Sequence, residues 1–192
     1  MIRNNLAKLM LERNIKATQI SNKTKIARST LSRIANNTSE KIEYSTINLI
    51  CSVLKVTPCE FFEYSPIDCD FTFEIGDMVT PQSELNKGVP PFFEVFGFIN
   101  FKKYGEPFGE IEYTGVGEDF GPVDRNLNTG ENIYNLHINL KPLENQDLSI
   151  FKEISTSFQT DIIENFQSFI KSQLSDEFKN YDISSTINLL NN

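Results

Sequence analysis

Along the first 65 positions apolar residues recur every three or four places; beyond Pro66 they recur every two, and the change of period divides the chain. In the first stretch the spacing predicts a helix over 2–14, with Leu6, Leu9 and Met10 as its core stripe and Arg3, Lys8 and Arg13 outside. Two short helices joined by a tight turn follow over 16–36. Ile20 points inward in the first of them, beside a Ser21 small enough for close helix contact, and Ile26, Leu31 and Ile34 point inward in the second. A fourth helix starts near Ser45 and Thr46, whose hydroxyls can cap it, and carries Ile47, Ile50, Cys51 and Leu54 at core spacing. Thr57 and Pro58 supply the cap and first position of a fifth, over 58–62. Its Phe61 and Phe62 close the module, and Pro66 stops it by excluding Ser65 from the helical region.

Past Pro66, residues 70–75 alternate polar and apolar as a strand does, and 81–91 reads as a loop. An aromatic-rich strand over 92–101 turns at 104–107 into a second over 108–114, with Ile111 and Tyr113 on one face, and the two form a hairpin. The glycines of 115–121 read as turn material; their spacing is not that of a dinucleotide-binding loop, and no Lys-Ser/Thr follows them. Residues 132–140 alternate again and place Leu136, Ile138 and Leu140 on the buried face, which leaves His137 on the other. From Leu148 to Phe178 apolar residues advance by three or four, as one long helix or as two broken near 155–157. The Phe-rich stripe either packs on the sheet or forms a self-association seam. The stretch 182–190 is expected to add a short last helix capped by Asp182 or Ser184.

Turning Leu31 and Ile34 inward leaves Arg28, Ser29, Ser32 and Arg33 outside, a set of donors able to bond base edges and phosphates. The segment resembles the phage repressor/Cro-like, or xenobiotic-response-element, helix-turn-helix family. The likeness is carried by Ile20, Ser21, Thr24, Ile26 and the run 28–34, and continues through Ile47, Ile50, Cys51, Leu54, Val56, Thr57, Pro58, Phe61 and Phe62. It covers about the first third of the chain. Three positions depart from the family pattern. Lys25 stands where Gly is usual in the inter-helix turn, at a cost of about 1 kcal/mol if its φ is positive. Ala17 stands where a Gln often reaches a phosphate, and Ala27 replaces the usual Ser/Thr cap, so Ser29 or the neighbouring chain has to help satisfy that helix start. The resemblance implies duplex-DNA binding, with Arg28 and Ser29 reading bases, Arg33 reading or clamping, and Asn36, Thr38 and Lys41 in the following loop at the backbone. Thr18, Thr30 and Ser32 complete the expected contact set.

The net charge of −8 conceals two halves of opposite sign. Residues 1–66 hold 10 Lys/Arg against 5 Asp/Glu, a net of +5; residues 67–192 hold 8 against 21, a net of −13. A basic first half suits a polyanion, while an acidic second half is repelled by phosphate and is expected to point away from the duplex. Sixteen Phe supply material for packed cores, and no apolar run reaches the ~20 residues that span a bilayer. A cytoplasmic protein is expected. The three cysteines fit no metal spacing, and with a single His no zinc site or His-based acid-base pair is expected. No phosphate loop or nucleophile elbow occurs, and Glu110 and Glu112 read as solvated surface. An Ala-Gly or Cys-Gly bond of the self-cleaving repressors is also missing. No catalytic residue, cofactor or metal ligand is therefore assigned.

The expected fold is α+β in two domains: a five-helix, lambda-repressor-like helix-turn-helix bundle over 1–66, then an antiparallel β-sheet domain with a long C-terminal helix over 67–192. The expected function is sequence-specific transcriptional control, as a phage or mobile-element repressor that dimerises through residues 67–192 to read two half-sites. The alternative is an autoregulated inhibitor or antitoxin whose acidic domain binds a protein; phage anti-CRISPR fusions have a similar layout.

Overall fold

The computed structural model describes residues 1–125, 131–175, 178 and 181–188, and these divide into two compact units, Met1–Pro66 and Ile67–Asn192. In the first unit, strand β1 (Ile2–Asn4) precedes helices α1 (Leu6–Glu12), α2 (Ala17–Thr24), α3 (Arg28–Ala35), α4 (Tyr44–Leu54) and α5 (Pro58–Phe61), and β2 (Phe62–Tyr64) returns antiparallel to β1. The expected helix over 2–14 therefore begins only at Leu6. Asn4 spends its side-chain oxygen on the Leu6 N–H, 3.0 Å away, so the chain enters α1 through a local turn and leaves 2–4 free to pair. Leu6, Leu9, Ile20, Leu31, Ile34, Ile50, Cys51, Leu54 and Phe61 form one buried core, with Ile26 packed at its edge.

The ends of these helices are made without glycine, which does not occur in the first 66 residues. After each of α1 to α4 a non-glycine residue takes the left-handed conformation: Asn14 (φ 51°), Lys25 (φ 64°), Asn37 (φ 55°) and Lys55 (φ 55°). Arg13 sends its guanidinium to the carbonyls of Leu54 and Lys55, where a cation meets the negative end of α4. The expected hydroxyl cap at Ser45–Thr46 is not formed: α4 starts at Tyr44, after an extended Glu43, with no side-chain cap. At α5 the Thr57 hydroxyl accepts from the Glu60 N–H, and the Glu60 carboxylate accepts the Thr57 N–H at 2.7 Å. That backbone bond holds the Glu60 carboxyl below its usual range.

The second unit is a five-stranded sheet of order β3-β4-β5-β6-β7. Its strands are β3 (Ile67–Met78), β4 (Phe92–Lys103), β5 (Glu106–Arg125), β6 (Asn132–Pro142) and β7 (Tyr181–Ile187); a one-turn helix α6 (Gln82–Leu85) lies in the 81–91 loop. A 3-10 segment, Ser149–Glu153, and helix α7 (Thr156–Ser175) link β6 to β7. The two-segment reading of the C-terminal helix thus applies, with the break at Ile154–Ser155. Phe158, Ile162, Phe166, Ile170 and Leu174 are all buried, each worth about 1.5–3 kcal/mol on burial. Phe166 stacks on Phe71 of β3 (centroids 5.1 Å apart) and meets Tyr113 of β5 edge-on (5.8 Å). The Phe-rich stripe is therefore consumed by the sheet, not presented as a self-association seam.

Three expectations fail in this unit. The sheet is not wholly antiparallel, because residues 181–187 form no helix but a strand parallel to β6, with Leu136 opposite Ile183 and Leu140 opposite Ile187. Ile183 and Ile187 are buried at even spacing, a period-two signal that two isoleucines among polar residues carry weakly; Leu190, the end of the expected helix, lies outside the described residues. A parallel pair needs a long crossover, which α7 supplies. The 115–121 glycines, expected as a turn, lie inside β5. A Cβ on Gly115 would sit 1.7 Å from the Asn139 carbonyl oxygen of β6, so only glycine lets the strands approach. Gly121, at φ +76° with its N–H on the Asp119 carboxylate, makes the irregularity that admits Pro122.

Among the described residues no helix is long and apolar enough to cross a membrane. Gly115→Ala is expected to cost at least about 3 kcal/mol, since backbone rather than a mobile side chain must yield. Gly109→Ala, whose nearest neighbour would be Ile150 Cδ1 at 3.4 Å, should change stability little. Urea unfolding of the two variants checks the contrast.

Candidate nucleic-acid interface

The candidate interface is built on α2, α3 and the loop after α3. Helix α2 ends where the Lys25 N–H bonds the Ser21 carbonyl at 2.8 Å and Lys25 turns left-handed. Thr24, buried, closes the same turn from both sides: its hydroxyl donates to the Ile20 carbonyl (2.8 Å) and accepts from the Ile26 N–H (3.2 Å). The sequence marked Thr24 only as part of a pattern; its polar side chain in an otherwise apolar stretch was the available signal. The Gln19 side-chain Oε1 accepts the Lys16 N–H at 2.8 Å and secures the start of α2.

Helix α3 enters from Ala27 in an extended conformation, and no side chain caps it. The expected help from Ser29 is thus not given, and the first-turn N–H groups remain at the positive end of the helix. Leu31 and Ile34 are buried at 0% and 1% exposure, which fixes the rotation of α3 about its axis. Arg28, Ser29, Thr30, Ser32 and Arg33 are all exposed as a result. Neither guanidinium is held by a carboxylate in the ion pairs of the described residues.

The other expected contacts lie on flanking segments. Thr18 is half-buried in the first turn of α2; Asn36 and Lys41 are exposed in the loop between α3 and α4. Thr38 is exposed too, but its hydroxyl donates to the Arg33 carbonyl at 3.2 Å, and its N–H bonds the same oxygen at 3.0 Å. It finishes α3 as well as facing solvent. Residues 5–66 match the family model of the Cro/C1-type HTH DNA-binding domain. The first unit contains a Cro/C1-type domain. That match supports a DNA-binding regulator, and it begins one residue after β1. No curated protein and no solved structure matches the chain.

Apart from the expected DNA contacts, the sequence's other candidates have local explanations. His137 is half-exposed on the sheet, with ring nitrogens 2.9 Å from the Ser184 hydroxyl and 3.1 Å from that of Thr186. Cys51 is a buried core residue, while Cys59 is exposed and burial pushes the Cys69 thiol up to about 12. Among the described residues no three His, Cys, Asp or Glu side chains gather as metal ligands.

Lys25 provides a test of the inter-helix turn. Lys25→Gly relieves a left-handed side-chain clash of about 1–2 kcal/mol and returns roughly 0.5–1 kcal/mol of unfolded-chain entropy. The expected net is a stabilisation of about 0.5 kcal/mol, read as a higher urea midpoint; a lower midpoint contradicts this account of the turn.

Proposed function

We propose that the chain is a sequence-specific transcriptional repressor that reads duplex DNA with α3. The supporting observation is the division of that helix: Leu31 and Ile34 sealed in the core, and two arginines with three hydroxyl residues free on the outside. Arg28, next to the helix N-terminus, is placed for a two-bond contact with guanine O6 and N7, and Ser29 beside it for a second base. Thr30 and Ser32 bond to bases or phosphates as the groove allows, and Arg33 reads or clamps one turn on. Thr18, Asn36, Thr38 and Lys41 hold the backbone on either side, while the net +5 of residues 1–66 supplies the attraction to phosphate that is independent of sequence.

Arg28 and Lys41 should be distinguishable. Arg28→Ala is expected to cost about 1–3 kcal/mol on the preferred duplex and to relax one position per half-site. Lys41→Ala should weaken preferred and scrambled duplexes alike and make the salt dependence shallower by roughly one unit. Titration of both variants at several salt concentrations decides the matter: an equal loss on both duplexes for Arg28→Ala makes Arg28 a backbone clamp.

One module covers too little DNA for tight discrimination, so the repressor acts as a homodimer on two half-sites about one helical turn apart. With the α7 stripe buried on its own sheet, pairing through residues 67–192 uses another surface of that unit. Light scattering of the full chain at tens of micromolar should give twice the 22.0 kDa chain mass; a monomer overturns this part. The phage or mobile-element setting follows from the repressor family that the module resembles, and a cytoplasmic location from the DNA it reads.

A second reading is favoured by the face of the sheet opposite α7. Glu74, Glu94, Glu110 and Glu112 are exposed there around the half-buried Phe96 and Phe98. This arrangement suits an inhibitor of the anti-CRISPR kind, or an antitoxin, whose acidic domain holds a basic protein while the DNA-binding domain autoregulates its synthesis.

A further inference from the structure

Asn4 is a polar residue with 5% of its surface exposed, and it belongs to a strand that lies before the stretch matched by the Cro/C1-type family. Its side-chain amide donates two bonds of 2.7 Å, one to the Ile34 carbonyl in the last turn of α3 and one to Asn37 Oδ1. The same Asn37 oxygen accepts the Asn4 backbone N–H at 2.8 Å, and the Asn37 amide donates back to the Asn4 carbonyl at 3.2 Å. Asn37 is itself the left-handed residue that ends α3, with its N–H on the Ile34 carbonyl at 2.9 Å. The two asparagines are thus joined by three bonds, two with backbone groups, and both also hold the helix end. Asn4 is buried and Asn37 half-buried, so loss of the Asn37 side chain leaves the buried Asn4 amide short of a partner.

Strand β1 is tied down in turn. It pairs with β2, the Met1 ammonium donates to the Ser65 carbonyl at 2.7 Å, and the Asn5 N–H reaches the Phe61 carbonyl at 2.7 Å. The chain from β1 through Asn4 and Asn37 to Ile34 therefore runs from a fixed ribbon to the turn of α3 that carries Arg33. Burial of Leu31 and Ile34 sets how α3 is rotated, and directional hydrogen bonds at its C-terminal end add a restraint along the axis. Bonds to one carbonyl and to the residue that ends the helix fix that position.

We propose that Asn4 and Asn37 are positioning residues for DNA reading: they hold the C-terminal turn of α3, and with it Arg33, at one height, without contacting bases. The proposal rests on α3 being the reading helix. It is tested on the full chain with the duplex that the wild-type protein selects from a random-sequence pool, against a scrambled duplex of equal length. Asn37→Gly is the deciding variant, because glycine keeps the left-handed backbone and removes only the side chain. Asn4→Ala removes the other half, and Asn37→Asp keeps an acceptor for both Asn4 donors.

In folded protein, well below each melting temperature, Asn4→Ala and Asn37→Gly are expected to reduce the selected-to-scrambled affinity ratio at least fivefold, with scrambled affinity within twofold of wild type. The double variant should do no worse than the more affected single, as residues acting as one unit do. Asn37→Asp, which keeps the acceptor for both Asn4 donors but loses the donor to the Asn4 carbonyl, should lose less of the ratio than Asn37→Gly, and amide exchange in the last turn of α3 should quicken most in the first two variants. If folded Asn37→Gly lowers the melting temperature yet discriminates as well as wild type, the asparagines are structural alone and the proposal is wrong. If the wild-type protein selects no sequence at all, the assignment of α3 as reader falls and takes this proposal with it; selection by wild type with unchanged variants sinks the proposal alone.

Discussion

The burial of Leu31 and Ile34 is the constraint on which the DNA-binding unit depends. A helix of eight residues has little stability of its own, so α3 exists because two side chains on one arc are taken into the core shared by Leu6, Ile20, Ile50 and Phe61. The same contact decides which side chains reach the surface, since a helix held by one arc must present the other. Arg28, Ser29, Ser32 and Arg33 are outward because Leu31 and Ile34 are inward. Core and outward face are two consequences of one rotation.

Keeping that rotation requires abrupt ends, and these are made from left-handed asparagine and lysine in a unit with no glycine. Asparagine tolerates that region better than most side chains, and Asn14 and Asn37 are placed accordingly. Lys25 and Lys55 are less expected. Each follows a helix whose C-terminal carbonyls attract a cation, and each adds a positive charge to a unit of net +5.

What the sequence revealed depended on how much periodic signal each element carried. Ile20, Leu31, Ile34, Ile47, Ile50 and Leu54 repeat at helical spacing over long stretches, so the helix-turn-helix and its outward residues were legible in the order of amino acids alone. Strand β1 was not, because three residues carry no period and its pairing partner lies about 60 positions away. Asn4 and Asn37 were invisible for the same reason: they matter through a contact across 33 residues that no local pattern encodes. Gly115 misled because glycine in sequence signals a turn, whereas here it marks the closest approach of two strands. Residues 181–187 misled because a strand completed by a distant neighbour needs only two buried isoleucines.

The second unit raises the question of how a segment of net −13 folds at all, and the strand register gives an answer. Across the sheet Asp68 faces Lys102, Asp70 and Glu110 flank Asn100, Glu74 faces Phe96, Glu112 faces Phe98, and Glu94 faces Val116. Glu118 lies between Phe92 and His137, and Asp182 faces Asn135. No two of these carboxylates are directly opposed, so the close cross-strand repulsion that destabilises like-charged pairs is avoided at every one of these positions. Lys102 bonds Asp70, and Lys103 bonds Glu153 at 2.7 Å, which relieves the densest corner. Interleaving acids with phenylalanine and asparagine lets one face of the sheet stay strongly negative while the other is committed to α7. A one-residue slip of β3 or β4 would remove that separation and expose the Phe71 contact with Phe166, so charge pattern and core packing select the same register.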